Sequence, residues 1–323
     1  MSLCRLQAVS DDYPEDRVVA STALANSIIS KLAKDKKGKE GFDERIAYHH
    51  IITSGNLDMF SHVTMSTHTP LWSPDWTHHT SSIPAAQIRS MADMQSFSHL
   101  FNAGGCTLAK PALDGHKLIL TGNQVDEIEA VGESLSWRLR AALLGDIEEW
   151  MEIAGLDLSQ EAAYSPNPSI TKLEAFWQTM VMDINPRYGI SGSPERESGS
   201  WMTRRQAYND WCNYIEPSHD DGVYKPSSHS DNVSSWSLFR LHQHLKATTY
   251  GRAFAKTKQG RYGLVPETVC VGDEIWVLCG GKFPTILSPL DNGQYRVKGI
   301  SYVHGIMDGE TMIPKKCHKV TLA

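Results

Sequence analysis

Apolar positions along this chain fall into two textures, one helical and one stranded. Over residues 17–34, Leu24, Ile28 and Leu32 recur at helical spacing, with Val18, Ala25 and Ile29 beside them. That spacing predicts an amphipathic helix, and a shorter one is predicted at 43–53. From 135 to about 154, Leu139, Leu143, Ile147, Trp150 and Ala154 share one face. Ser134 stands where an N-cap belongs and Gly155 supplies a stop. Ser169 is placed to cap the next helix, whose stripe is Ile170, Leu173, Phe176, Trp177, Met180 and Val181. Two further helices are predicted near 202–214 and 235–249.

Strand signals come in two places. "HKLILTG" and "QVDEIEAV" predict a pair of strands over 116–131, broken at Gly122 as a β-hairpin. From 252 onward the texture changes to short apolar runs: "DEIWVLCGG", "FPTILSPL" and "QYRVKGISYVHG". Gly280-Gly281 and Asn292-Gly293 punctuate them, and Asn-Gly is a strong hairpin signal because both residues tolerate positive φ. Tyr295 and Val297 alternate in one phase, Ile300 and Tyr302 in the other, so Gly299 is predicted to sit at a bulge. The polar stretches 54–115, 186–200 and 217–235 read as loops. The pattern implies an α+β protein. A mainly helical region, 1–250, carries the hairpin, and a small antiparallel β-barrel-like unit, 251–323, packs on it as one unit.

Composition narrows the function. The apolar share of 41% and charged share of 21% are those of a globular protein. A formal charge of −6 without a basic stripe excludes a nucleic-acid groove. No apolar run reaches the length of a membrane span and the start lacks an apolar signal region, so a cytoplasmic protein with no membrane partner is expected. The 6 cysteines form no CxxC pair, which predicts reduced thiols and no zinc ribbon. Nucleophile-elbow, zincin and dinucleotide motifs are missing, and neither a metal nor a cofactor is expected.

Two stretches carry candidate chemistry. In "SYVHGIMDGE" (301–310), His304, Asp308 and Glu310 are proton-exchanging groups at the exit of a predicted strand. Converging on a cleft, His304 would move a proton near neutral pH while a carboxylate fixes its tautomer. The same letters also read as a tight turn, with Gly305 and Gly309 as turn residues and Asp308 as a local backbone acceptor. The H-x-x-x-D-G spacing occurs in condensation-type acyltransferases too, but their further motifs are missing. In "TPLWSPDWTHHTSS" (69–82), Trp72 and Trp76 flank Asp75, and His78 and His79 follow. Aromatic walls, an acid and imidazoles suit a small apolar or aromatic metabolite; the alternative is a loop pinned by packed tryptophans. His242 and His244, two apart on a predicted helix, face different ways and do not chelate together.

The region 251–310 resembles the C-terminal region of fungal heterokaryon-incompatibility (HET) family proteins. The residues that carry this are Gly251-Arg252, Thr257, Gly263-Leu264-Val265-Pro266, Gly272-Asp273, Pro284 and Tyr302 to Glu310. Upstream, "LWSPDWT" (71–77), "FNAGG" (101–105) and "LILTGNQVDEIEAVG" (118–132) resemble the linker that follows the HET domain. The "SYxWG"-like and "WIDxxCINQ"-like signatures of the HET domain itself have no counterpart. The resemblance implies the family's C-terminal fold, with Arg252 bracing the strands. Two functions follow as expectations. One is a cofactor-independent cyclase, isomerase or lyase of fungal specialised metabolism, with His304, Asp308, Glu310 and Asp75 as acid/base groups and Trp72, Trp76, His78 and His79 binding substrate. The other is a non-catalytic interaction or regulatory module, partnered with itself or with a HET-family protein.

Overall fold

The computed structural model describes residues 57, 60, 71–73, 97–135, 140–184, 211 and 235–323. The predicted helices at 17–34 and 43–53, and all of 202–214 except Trp211, lie outside the described residues. Strand β1 (Ala112–Asp114) turns through Gly115, φ +61°, into β2 (Lys117–Ser134). Helix α1 (Arg140–Ala154), the small hairpin β3 (Ala163–Tyr164) and β4 (Asn167–Thr171), α2 (Lys172–Met180) and α3 (Ser235–Thr249) follow. Then come β5 (Arg252–Thr257), β6 (Tyr262–Pro266), β7 (Glu274–Leu278) and β8 (Thr285–Pro289). The last are β9 (Tyr295–Ile300), β10 (Tyr302–Val303) and β11 (His318–Leu322). No described helix is long and apolar enough to cross a membrane.

β2 is the spine, and it corrects the expected strand pair. It runs unbroken for 18 residues, well beyond the ~3–10 of an ordinary strand. Its first part pairs with β11 (Leu118 with Leu322, Gly122 with His318), and from Gly122 to Glu127 it pairs with β7. From Ile128 to Ser134 it pairs with β5. Gly122, expected as a break, is where β11 and β7 flank β2 together. A Cβ there would lie 2.6 Å from the Val277 carbonyl oxygen, so the missing side chain permits a close approach and does not end the strand. The hairpin of the N-terminal part is therefore β1–β2, turning at Gly115. Register shifts between Gln124 and Asp126, Ile128 and Ala130, and Val131 and Ser134 let so long a strand coil.

One nine-stranded sheet results, in the order β10-β6-β5-β2-β11-β9-β8-β7, with β1 beside β2 and β7 pairing back onto β2. The sheet curls, but its β11–β9 seam is a single parallel pair, Leu322 with Tyr295. It is a curled sheet, and the barrel-like unit expected for 251–323 is not self-contained, because the spine of the sheet, β2, comes from upstream. The late turns agree with expectation. Gly293 has φ +73° between β8 and β9, and Gly299, φ +134°, lies where the β8–β9 register shifts.

Helices α1 and α2 pack on an aromatic layer of the sheet. Leu143, Ile147, Trp150 and Ala154 of α1 are buried as their spacing demands. Trp150 stacks on Phe254 with ring centroids 5.8 Å apart and donates its indole N–H to the Glu133 carbonyl at 2.8 Å. Phe176 of α2 reaches the same Phe254 at 5.2 Å. Gly155, φ +67°, ends α1 with a bond from the Leu156 N–H to the Met151 carbonyl. Two cap expectations are corrected. Ser134 ends β2, and Ser169 lies within β4 with its hydroxyl on Asn167. Thr171 caps α2 instead, its Oγ1 accepting from the Glu174 N–H at 3.1 Å, because the chain stays extended until that residue.

Candidate functional site

His304 sits at a joint between the sheet and α2. It leaves β10, which pairs Tyr302 with Leu264 and Val303 with Gly263, and its own N–H donates to the Tyr262 carbonyl at 2.8 Å. Its side chain is buried, with Nε2 2.9 Å from Oε1 of Gln178 on α2. Carrying its proton on Nε2, the imidazole donates to that amide oxygen. Tyr164, from the β3–β4 hairpin, meets the ring edge-on at 5.2 Å and 82°. The Tyr164 hydroxyl accepts from the Tyr262 N–H at 3.1 Å, and the Tyr262 hydroxyl donates to the Ala154 carbonyl at 2.7 Å. Burial pushes the Tyr164 phenol up to about 12 and raises Tyr262 as well, so both stay protonated. The joint thus gathers an imidazole and two neutral phenols from segments far apart in sequence.

The two acids of the same stretch stand elsewhere on the turn. Asp308 and Glu310 are exposed, whereas His304 is buried. Glu310 Oε2 accepts from the Asp308 N–H at 2.7 Å, so Glu310 also bonds within the turn. Gly305 and Gly309 have φ of +80° and +90°, as turn glycines should. Gly309 also lets the turn approach Gly105, whose Cα would lie 3.2 Å from an added Cβ, and the Asn102 N–H donates to the Met307 carbonyl at 2.8 Å.

Trp72 has no exposed surface and donates its indole N–H to the His116 carbonyl at 2.7 Å. That burial and bond fit the alternative reading of this stretch, a loop pinned by a packed tryptophan. Asp75, Trp76, His78 and His79 lie outside the described residues. His242 and His244 are both buried on α3; His244 Nε2 is 3.2 Å from the Val181 carbonyl oxygen. Burial pulls both imidazoles down to about 4, so they are neutral at pH 7.

Sequence reasoning missed the most densely bonded carboxylate among the described residues. Asp126 of β2, its side chain 1% exposed, accepts from Thr257 Oγ1 at 2.7 Å and from Arg261 Nη1 at 2.8 Å. Its other oxygen accepts from the N–H groups of Glu127 at 3.0 Å and Gln259 at 3.2 Å. The signal was an aspartate inside the strand-like run "QVDEIEAV", where a buried acid demands partners. Arg252 braces the sheet as its place in the resemblance implied: it is buried, and Nη1 donates to the Ile300 carbonyl at 3.2 Å.

Comparison with known proteins bears on the C-terminal part. Residues 195–319 match the family described as the Het-6 beta-barrel domain, and the resemblance of this region to the C-terminal part of heterokaryon-incompatibility proteins stands on that match. No curated protein and no solved structure matches the chain. The matched stretch holds β5 to β10 and the start of β11 but not β2, to which three of those strands pair.

Proposed function

We propose that this chain is a non-catalytic interaction module of heterokaryon-incompatibility type, whose partner is a protein of that family carrying the N-terminal HET domain. The supporting observation is how His304 is used. Its ring is buried, bonded to a neutral amide and packed on Tyr164, while Asp308 and Glu310 face solvent. Such a histidine fastens β10 and its turn to α2, which holds a surface in shape. The test mixes the purified chain with a HET-domain protein and follows sedimentation, then repeats this with His304→Gln. Co-sedimentation is expected, together with no conversion of metabolite extracts by wild type. Conversion by wild type that His304→Gln abolishes at an unchanged melting temperature would overturn the reading.

A second reading keeps one specific observation in its favour. The imidazole of His304 and the neutral phenols of Tyr164 and Tyr262 share one buried joint, which is an acid/base set for cofactor-independent cyclisation, isomerisation or elimination. In that case His304 is the base, Gln178 orients it, and a small apolar or aromatic metabolite is the substrate. Tyr164→Phe then lowers turnover, whereas under the first reading it changes stability alone.

A further inference from the structure

Sulfur side chains from two separate segments, Cys279 from one and Met312 and Cys317 from the other, are brought to one face of the sheet. Cys279 directly follows β7, and its N–H donates to the Thr121 carbonyl at 2.8 Å. Asn123, two residues along β2 and on the same face, ties the segment before β11 to that face. Its Nδ2 donates to the Thr311 carbonyl at 3.0 Å and to the Ile313 carbonyl at 3.3 Å. That segment carries Met312, and a turn over Pro314–Lys316 brings back Cys317. Cys317 Sγ lies 3.5 Å from Met312 Sδ and 3.6 Å from the Ile313 carbonyl oxygen, and burial together with the neighbouring Cys279 raises its thiol pKa. Both cysteines are free and half-buried, within reach of solvent.

We propose that Cys279, Cys317 and Met312 form a site for a soft monovalent cation, Cu(I). Two thiols and a thioether are the donor set that such an ion selects over zinc or the hard divalent ions. Metal–thiolate bonds of ~2.3 Å in a trigonal set place sulfurs ~4 Å apart, so the 3.5 Å between Cys317 and Met312 widens by about half an ångström to admit an ion. A structural zinc site asks for four nitrogen, thiolate or carboxylate ligands. Among the described residues no group of three or more His, Cys, Asp and Glu side chains could hold a metal. His318 is turned away, its Nδ1 3.2 Å from the Lys316 carbonyl oxygen and its ring on Trp276. Binding converts two thiols and one Cu(I) into a bis-thiolate complex of net charge −1, with two protons released to buffer and no change in oxidation state. Lys315 and Lys316, in the turn between Met312 and Cys317, set positive charge beside it.

The test uses the full chain, fully reduced and kept anaerobic, with Cu(I) supplied against the chromophoric chelator bicinchoninate. One equivalent is expected to bind, and that equivalent shields Cys279 and Cys317 from iodoacetamide while Cys106 and Cys270 stay reactive by peptide mass spectrometry. Cys279→Ser and Cys317→Ser each abolish the shielding, and Met312→Leu weakens retention by about tenfold or more, the scale of losing a supporting contact at a metal. X-ray absorption on wild type is expected to show a shell of three sulfurs. Because shielding and absorption are read on wild type, a variant that fails to fold leaves the proposal testable. Shielding at Cys106 or Cys270 in place of the pair, an oxygen- or nitrogen-dominated shell, or undiminished binding by the double serine variant overturns it.

Discussion

Replacing Asp126 by asparagine keeps the size of the side chain and removes its charge. The carboxylate accepts from two N–H groups on one oxygen and from Thr257 and Arg261 on the other. Thr257 Oγ1 itself accepts from the Arg261 N–H at 2.9 Å, so its proton is aimed at Asp126 and is not free to turn. An asparagine NH₂ on either side therefore faces two donors with a third. Two bonds to a charged acceptor are lost, at ~1.5–3 kcal/mol each. Breaking a buried ion pair from one side costs ~3–5 kcal/mol. Arg261 keeps 18% exposure and regains some water, which places the loss near the lower end, about 3 kcal/mol. At ~2–4 °C per kcal/mol for a large domain, Asp126→Asn should lower Tm by roughly 6–12 °C. Calorimetry and urea denaturation measure it, and a double-mutant cycle with Thr257→Val should give a coupling of at least ~0.5 kcal/mol. A variant within ~0.5 kcal/mol of wild type would refute the claim that this carboxylate locks β2 to the β5–β6 turn.

Two further outcomes follow from the same geometry. His242 and His244 have folded values of about 4, below the ordinary 6.5 that the unfolded chain restores. As pH falls below 6.5 the unfolded state takes up protons first, so stability is full above that value and declines toward pH 4. The slope is up to ~1.4 kcal/mol per pH unit for each histidine; the urea midpoint between pH 7 and 5 reads it, and a flat profile contradicts it. The second concerns the matched region. A fragment of residues 195–319 leaves β5 and β7 without their β2 partner, exposing unpaired edges. It should aggregate or lack cooperative melting, whereas a fragment beginning before β1 keeps the pairing; a soluble, cooperatively melting 195–319 would show the pairing to be dispensable.

Local periodicity was a sound guide where one element buries one face. The faces of α1 and α2 packed as their 3.6-residue spacing required, and Gly155, Gly293, Gly299, Gly305 and Gly309 took the positive φ that their places in turns called for. The cap of α2 moved from Ser169 to Thr171 because hydroxyl residues compete near a helix start, and the one chosen depends on where the chain leaves extended backbone. Gly122 was misread for a different reason. In sequence a glycine between two apolar runs signals a break, whereas here the space it leaves is filled by Val277 of a distant strand.

By itself, the order of residues determined the element types, the late run of short strands and the kinship of the C-terminal region, since each rests on neighbours along the chain. Only the tertiary structure decided that one upstream strand organises the whole sheet, that His304 answers to Gln178 and Tyr164, and that three sulfurs meet. Those pairings link segments separated by tens to more than a hundred residues. Strand partnership is set by which edge is free when the chain collapses, and no local pattern of apolar and polar positions encodes that choice.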